Sequence, residues 1–203
     1  MAERTTRQQR TDERRRRILA AARERADADG WSAVTTRHLA DAIGFTQPVL
    51  YSHFPGGKSE IMSAVALEGF VELTRRCRAA LGPEPARRTV EAVAVAYLDF
   101  GRDHPAVYEA MFHEPIDARF AEEDTPSELR AGFDTLAEAI GDVDRGAATE
   151  VFWSALHGIG LLERAGRMRP DDRALRVAEL GVRFAPGSPA ASGSGAGHGD
   201  GSP

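Results

Sequence analysis

Apolar residues recur along most of the chain at the three- and four-residue spacing of amphipathic helices. This spacing predicts three helices near the N-terminus, over 12–29, 36–43 and 47–53. It predicts six more near 58–81, 88–103, 105–113, 126–141, 145–166 and 171–185, with prolines at or beside their ends. Because no segment alternates apolar and polar residues as a strand would, we expect an all-α fold of about nine helices.

Both ends of the chain lack this pattern. Residues 1–11 are polar and rich in Arg, Gln and Thr, so we expect a flexible basic arm. Residues 186–203 are mostly Gly, Ser, Ala and Pro with almost nothing to bury, which predicts a disordered tail. Between them we expect two domains, a small helical head over 12–57 and a larger helical body over 58–185.

Charge is distributed unevenly between these two domains. The whole chain has a net charge of -5, but the part through Lys58 has 11 basic and 7 acidic residues. A basic head on an acidic body fits a protein that meets nucleic-acid phosphate at one end, although solvated surface charge is an alternative. The single cysteine, Cys77, cannot form an internal disulfide, and no apolar run approaches the roughly 20 residues of a membrane span. The arginine-rich N-terminus is not a secretory signal, so we expect a cytoplasmic protein.

The head contains the pattern of a helix-turn-helix over residues 36–55. Ala40 is small enough for two helices to cross closely, and Gly44 suits the positive φ of a tight connection. Together with Leu50 these residues have offsets of 0, 4 and 10, the usual pattern of this unit. The spacing predicts one shared core, made of Ile18, Leu19, Ala22, Leu39, Ile43, Phe45, Leu50 and Phe54.

The outward side of the third helix then carries side chains that can contact base edges or phosphates. Gln47 lies at the helix start, where recognition helices usually meet bases, and its amide can read adenine with two hydrogen bonds. An ordinary helical hairpin with its polar residues facing water is the alternative. The predicted DNA-facing residues are Thr46, Gln47, Pro48, Val49, Tyr51, Ser52 and His53.

The head resembles the N-terminal domain of the TetR family of regulators. The resemblance lies in Thr35-Thr36-Arg37-x-Leu39-Ala40-x-x-Ile43-Gly44-Phe45-Thr46, followed by Val49-Leu50-Tyr51-x-His53-Phe54-Pro55 and a lysine. It implies a homodimer that binds a palindromic operator in double-stranded DNA and is most often a repressor released by a small molecule. It also implies phosphate contacts by Thr36, Tyr51 and Lys58 and an approach to bases by Arg37, Gln47, Pro48 and Val49. In one departure, Gly56-Gly57 places Lys58 four residues after Phe54 instead of three, which could move this lysine from its phosphate.

The body resembles a C-terminal domain named for its Trp, His and Gly in some members of this family. The residues are Trp153, His157 and Gly158, with an aromatic segment over 105–112 upstream. The resemblance implies a helical ligand-binding and dimerisation domain. We expect a hydrophobic or aromatic effector in an apolar pocket, although each residue could instead be plain core. The candidate ligand-binding residues are Tyr97, Phe100, Tyr108, Met111, Phe112, Phe133, Phe152, Trp153, Leu156 and His157.

The segment 151–162 is apolar on nearly every side of its predicted helix. Such a helix must be covered on every side, and a partner subunit is the simplest cover for the side that the chain's own core leaves open. Gly158 and Gly160 would permit close approach of another helix. We therefore predict a homodimer through this helix and the last one, the alternative being a central helix buried within one subunit.

Other functions have weaker support in the sequence. His104, His113, Glu114 and His157 match no tight metal-ligand spacing, so no metal is expected. The chain contains no Gly-rich phosphate loop or nucleophile elbow, and we expect no cofactor. A helical enzyme using His104, His113 and Glu114 would leave the helix-turn-helix unexplained. The predicted function is a ligand-responsive repressor, and a DNA-binding regulator whose body only dimerises is the nearer alternative.

Overall fold

A computed structural model of the chain describes residues 2–113 and 126–187, with side chains described over 8–112 and 126–187. Within these residues there are nine α-helices and no strand, so the all-α prediction is confirmed. The helices are α1 Ala2–Asp29, α2 Thr36–Ala42, α3 Gln47–His53, α4 Gly57–Ala79, α5 Arg87–Asp103, α6 Pro105–His113, α7 Ser127–Ile140, α8 Ala147–Arg164 and α9 Arg173–Phe184. None of the described helices is long and apolar enough to cross a membrane.

The predicted helix ends agree with these bounds to within about three residues, except at the start of α1. This helix begins at Ala2 and not at Asp12, so the predicted start of the first helix is wrong, while the flexibility of the arm stays a prediction. The arm contains no Gly or Pro, and its three arginines and two glutamines favour helix without any burial. Apolar periodicity could not detect it. Most of the predicted tail, residues 188–203, lies outside the described residues.

The described residues form two compact units. The first is drawn from Met1–Phe70 and Asp103–Thr125, and the second from Val71–Arg102 and Pro126–Pro203. This division differs from the boundary expected at residue 58, because the first part of α4 and all of α6 belong with the head. Helix α6 packs against α1, a contact between segments far apart in the sequence.

The core of the first unit is formed where α1, α2 and α3 meet. Six of the eight predicted core residues are buried there: Ile18, Leu19, Ala22, Leu39, Leu50 and Phe54. Ile43 and Phe45 are only half-buried, so their assignment to the core is wrong. Phe45 instead has two guanidinium groups against its ring, from Arg14 at 5.7 Å and Arg17 at 5.1 Å from the centroid. Cationic side chains on the outside of the helix therefore cover a ring that the apolar pattern alone assigned to the interior.

Helix α6 is joined to the head by hydrogen bonds at its first turn. The indole Nε1 of Trp31 donates to the carbonyl of Ala106 at 2.8 Å, and the carboxylate of Asp27 accepts from the Ala106 amide at 3.3 Å. Gly69 of α4 allows close packing on the same helix, because an added Cβ would lie 2.6 Å from Cγ1 of Val107 and 2.7 Å from Sδ of Met111. These contacts fix α6 to the unit that contains the helix-turn-helix.

The second unit is a helical body with an aromatic core and a network of ion pairs. Tyr97, Phe100, Phe152 and Leu156 are buried in it. Helix α9 is tied to α5 and α8 by charged side chains: Arg173 lies 2.8 Å from Asp99 and 3.4 Å from Glu163, and Arg176 lies 2.7 Å from Glu163. Cys77 is buried in the α4 part of this unit, and desolvation raises the pKa of its thiol to about 12.

The start of α8 depends on one carboxylate. Oδ2 of Asp142 accepts from the Thr149 hydroxyl at 2.6 Å and from the amides of Gly146 and Thr149 at 3.0 and 3.2 Å. The hydrogen bond from the Thr149 hydroxyl, helped by these amides, lowers the pKa of Asp142 below its ordinary value against the opposing effect of desolvation. The carboxylate accepts from amides at the start of the helix, as an N-terminal cap does, and the Thr149 amide also donates to the Gly146 carbonyl at 3.1 Å.

Candidate DNA interface

The predicted turn between α2 and α3 has the expected geometry. The hydroxyl of Thr35 accepts from the His38 amide at 3.1 Å and caps α2. Gly44 has φ +69°, the left-handed conformation for which glycine was expected, and the amide of Phe45 then donates to the carbonyl of Ala40 at 2.9 Å. Ala40 is buried at the crossing of the two helices. The framework of the helix-turn-helix is therefore as predicted.

The first turn of α3 presents its side chains to solvent. Gln47 and Pro48 are both exposed, and the proline suits the helix start because the amide it lacks would have no helical partner. Val49 is half-buried, and its carbonyl accepts from the hydroxyl of Ser52 at 2.6 Å. The Gln47 side chain is therefore exposed at the first residue of the helix. Among the other predicted residues of this surface, Thr46, Tyr51 and Ser52 are exposed and His53 is half-buried.

A second polar group lies beside this helix. The hydroxyls of Thr36 and Tyr51 are 3.4 Å apart, and 44% of Tyr51 is exposed. Gly57, with φ +63°, passes against both, since an added Cβ would lie 3.4 Å from the Tyr51 ring and 3.6 Å from Cγ2 of Thr36. Arg37 is exposed on the first turn of α2. The structure brings together two of the three predicted phosphate contacts.

Lys58, the third, is engaged elsewhere. Its ammonium is half-buried and donates to the carbonyl of Trp31 at 2.5 Å. Lys58 is one residue later than its usual place because of the extra glycine. The structure thus places its ammonium on the 3-10 turn Trp31–Ala33 that follows α1. Its role as a phosphate contact stays a prediction.

Three arginines of α1 reach the same region, and the sequence motif did not predict them. Arg17 donates to the carbonyl of Ile43 at 2.9 Å, and Arg15 donates to the carbonyl of His53 at 3.3 Å while its guanidinium lies 4.3 Å from the Phe54 ring centroid. Arg14 stacks on Phe45. The sequence feature that could have predicted these contacts is the run of four arginines before Ile18, since the net charge of the head does not show which face they occupy.

The candidate ligand-binding residues are divided between the two units. In the first unit Tyr108 and Met111 are buried, and the Phe112 ring lies 4.7 Å from Tyr108 and 5.6 Å from Phe70 between centroids. In the second, the indole of Trp153 donates to the Tyr97 hydroxyl at 3.1 Å. Here Tyr97, Phe100, Phe152 and Leu156 are buried, while Phe133, Trp153 and His157 are half-buried.

An open groove of the second unit lies elsewhere, along α9 and its approach from α8. It contains none of the candidate ligand residues, and its lining mixes apolar and charged side chains: Ile159, Arg167, Met168, Arg169, Asp172, Leu175, Arg176, Glu179, Leu180 and Arg183. Val151 and Leu162 of α8 and Leu175 and Val182 of α9 are exposed. An added Cβ on Gly158 would meet nothing within 4 Å. The apolar helix α8 is therefore incompletely covered by its own chain.

The histidines considered for metal binding or catalysis do not form a site among the described side chains. Within residues 8–112 and 126–187, no three His, Cys, Asp or Glu side chains are grouped to hold a metal ion. The His113 side chain and Glu114 lie outside the described residues.

Comparisons with known proteins agree with the helix-turn-helix. A family model described as bacterial regulatory proteins, tetR family, matches residues 18–65, and a tetracyclin repressor-like C-terminal domain matches residues 90–185. Together the two models cover more than half of the chain. They include the whole helix-turn-helix and the segment with Trp153, His157 and Gly158.

Similar proteins are regulators as well. An uncharacterized HTH-type transcriptional regulator of Mycobacterium tuberculosis is 29% identical over 185 residues, covering 85% of this chain and 80% of that protein. The HTH-type transcriptional activator FasR of Mycolicibacterium smegmatis is 27% identical over 153 residues, covering 74% of this chain and 68% of that protein. A regulatory protein of the tetR family from Rhodococcus RHA1 shares the fold, with a TM-score of 0.61 at 22% identity over 84% of this chain and 96% of that one.

The family and these relatives are regulators of transcription and not enzymes, which confirms the expectation of a non-enzymatic protein and leaves the helical-enzyme alternative without support. The helix-turn-helix geometry, the two family models and the relatives all agree. The chain belongs to the TetR family of DNA-binding transcriptional regulators.

Proposed function

We propose that this protein is a dimeric, ligand-responsive repressor that reads a palindromic operator through the first turn of α3. The observation that carries the reading site is the exposed start of this helix, where Gln47 is the first residue and Thr36 and Tyr51 are paired beside it. Gln47 and Arg37 would approach base edges in the major groove, while Thr36 and Tyr51 would contact the flanking phosphates. A regulator that works on DNA acts in the bacterial cytoplasm.

The reading site is tested by two substitutions with different expected signatures. Gln47→Ala should weaken binding to the preferred operator by about 1–3 kcal/mol and relax the preference at one base pair of each half-site. Tyr51→Phe removes one hydroxyl and should weaken binding to every duplex alike. Gln9→Ala, the same change at an exposed glutamine of α1, is the matched control and should leave operator preference unchanged. Operator preference that survives Gln47→Ala would show that α3 reads DNA in another way.

The proposed dimer is supported by the uncovered face of α8 and α9. Val151 is 58% exposed and Leu175 64%, and Gly158 leaves room for a second helix. A two-fold interface must be complementary to itself, and the groove along α9 offers both arginines and the acidic Asp172 and Glu179. A dimer would also present two recognition helices to successive major grooves, as a palindromic operator requires.

Gly158→Arg tests the dimer without straining a single chain. Its Cβ has open space, so the variant should fold with the helical content of the wild type but sediment as a monomer and lose cooperative operator binding. Val143→Arg, at a position 86% exposed before α8, is the matched control and should stay dimeric. A Gly158→Arg dimer of unchanged affinity would place the interface on another face.

Ligand response is supported by the position of α6. This helix carries Tyr108, Met111 and Phe112, three candidate ligand residues, and its first turn is hydrogen-bonded to Trp31 and Asp27 of the head. A ligand that displaced α6 would therefore act on an element bonded to the helix-turn-helix unit. Because coupling is a difference in affinity between two states, an effector should weaken operator binding roughly 5- to 150-fold, and operator should weaken effector binding by the same factor.

The effector is to be sought among hydrophobic and aromatic compounds by thermal shift and then by release of labelled operator. The chain has two tryptophans, so fluorescence can locate the response. Trp153→Phe should leave only the fluorescence change of Trp31, whose indole is bonded to α6, and Trp31→Phe should leave only that of Trp153 beside Tyr97. If no compound shifts either stability or operator affinity, the protein is a regulator whose body only dimerises.

The direction of control has one competing candidate, because one similar protein is named a transcriptional activator. Repression requires the operator to overlap the site of RNA polymerase, and activation requires it to lie upstream. Transcription in vitro from the native promoter, with and without the protein, distinguishes the two. Lower transcript with protein present supports the repressor, and higher transcript supports the activator.

A further inference from the structure

The described side chains in the first half of α1 lie mostly on the surface. Every side chain over 8–14 is exposed, and from residue 8 onward Ile18 is the first that is buried. Two pairs on its surface, Gln8 with Asp12 at 2.9 Å and Glu13 with Arg16 at 2.8 Å, are exposed contacts that contribute little to helix stability. A helix segment that is polar on every side is not held by burial, so its surface is open to solvent or to a partner.

One face of this helix is cationic. Arg10, Arg14 and Arg17 are separated by four and three residues and therefore share a face, which we call the arginine stripe. At 1.5 Å per residue the stripe is about 10 Å long. Asp12 falls on the opposite face, and Glu13 is paired with Arg16, which lies outside the stripe.

The stripe ends at the turn of the helix-turn-helix. Arg17 donates to the carbonyl of Ile43, and the Arg14 and Arg17 guanidinium groups lie 5.7 and 5.1 Å from the Phe45 ring centroid. The chain passes directly from Phe45 through Thr46 to Gln47, the exposed start of α3. The stripe is therefore continuous with the surface that faces DNA.

These contacts leave the guanidinium groups able to bind anions. Stacking uses the face of a guanidinium, while its five N–H donors lie at the edge, and Arg17 commits one donor to Ile43. Both side chains are exposed, as is Arg10. Phe45 and the Ile43 carbonyl thus hold the inner end of the stripe in position, and Arg10 lies at its outer end on the same helix.

We propose that the arginine stripe is a second DNA contact that grips phosphates beside the groove read by α3. The inference rests on the DNA-binding function of the family, and it adds an interface outside the helix-turn-helix. A recognition helix in the major groove has a phosphate backbone on each side, and cations continuous with its first turn lie next to one of them. A membrane surface is a poor match, because residues 8–14 offer no apolar face to insert.

A phosphate grip predicts a change in salt dependence and not in sequence preference. Each phosphate contact contributes about 0.9 to the slope of log K against log salt. Replacing Arg10 and Arg14 with Gln should therefore make the slope shallower by about 1.8 for each head. The loss of DNA affinity should be equal for the operator and for an unrelated duplex, since the phosphates are the same in both.

The experiment measures binding of the full chain to a fluorescein-labelled duplex of mixed sequence between about 50 and 200 mM salt, the range over which such contacts change affinity most visibly. The test variant is Arg10→Gln with Arg14→Gln. The matched control is Arg16→Gln with Arg25→Gln, which removes the same charge from α1 outside the stripe, where these arginines pair with Glu13 and Asp29. Circular dichroism checks folding, and Arg10→Gln alone avoids disturbing the stack on Phe45.

The expected result is a shallower slope for the stripe variant, about half that change for Arg10→Gln, and a wild-type slope for the control. The proposal is overturned if the stripe variant keeps the wild-type slope, or if the control loses as much, which would indicate only the net charge of the head. A shallower slope in the double variant with a wild-type slope in Arg10→Gln would confine the effect to the contact of Arg14 with Phe45, and this result would also overturn the proposal. Failure of the wild type to bind any duplex at low salt would instead count against DNA binding itself.

Discussion

The packing of α4 on α6 can be tested at Gly69. Replacing this glycine with Ala places a Cβ 2.6 Å from Cγ1 of Val107 and 2.7 Å from Sδ of Met111. Since carbon atoms pack best at about 3.5–4.0 Å, the valine contact is about 1 Å too short. Met111 can turn its flexible end away, but a valine in a helix has essentially one rotamer, so the backbones must separate.

The magnitude follows from two opposing contributions. Overpacking of this kind costs about 1–3 kcal/mol, while Ala in place of Gly within a helix returns about 1 kcal/mol. We therefore expect Gly69→Ala to lower the free energy of unfolding by about 1 kcal/mol. In a Val107→Ala background the shortest contact is gone, so the same substitution should become neutral or stabilising, with a coupling of about 1–2 kcal/mol between the two sites.

Urea unfolding followed by circular dichroism measures all four proteins of this cycle, at one protein concentration because a dimer's stability depends on it. Val107→Ala alone serves as the control for the loss of buried methyl groups. If Gly69→Ala stabilised the protein and the two changes were additive, then α4 and α6 would not be packed at this point.

Three further outcomes are expected. Asp142→Ala should cost about 0.5–2 kcal/mol of unfolding free energy near neutral pH, as for a lost cap. Because the pKa of Asp142 is lowered in the folded state, the stability that its carboxylate contributes is complete above about pH 4 and is lost as pH falls through the folded-state pKa. The difference in unfolding free energy between Asp142→Ala and the wild type should therefore shrink in acid. A difference that stays the same would contradict the capping role. Cys77, with a pKa near 12, should react with thiol reagents at neutral pH only after unfolding. Trp31→Phe should cost about 0.5–1.5 kcal/mol through the lost bond to Ala106 while sparing DNA affinity in the absence of effector, measured by urea unfolding and fluorescence anisotropy.

The helix-turn-helix could be predicted from sequence because its determinants are local. Gly44 has the positive φ that its place between two helices required, Thr35 caps α2, and Ala40 is buried at the crossing. Each of these features depends on residues within one or two turns, so short-range spacing contains the information. The predicted ends of α4 to α9 lie close to the observed ends for the same reason, because proline and glycine interrupt a 3.6-residue period wherever they occur.

Contacts between distant segments required the tertiary structure. Apolar spacing shows that Phe45 lies on one side of its helix pair, but only the fold brings Arg14 and Arg17 over its ring. The same holds for Lys58, whose ammonium meets the Trp31 carbonyl, and for α6, which joins the head through Ala106. A period identifies the face of a helix that is covered but not the element that covers it, because that choice depends on how the whole chain closes around its core.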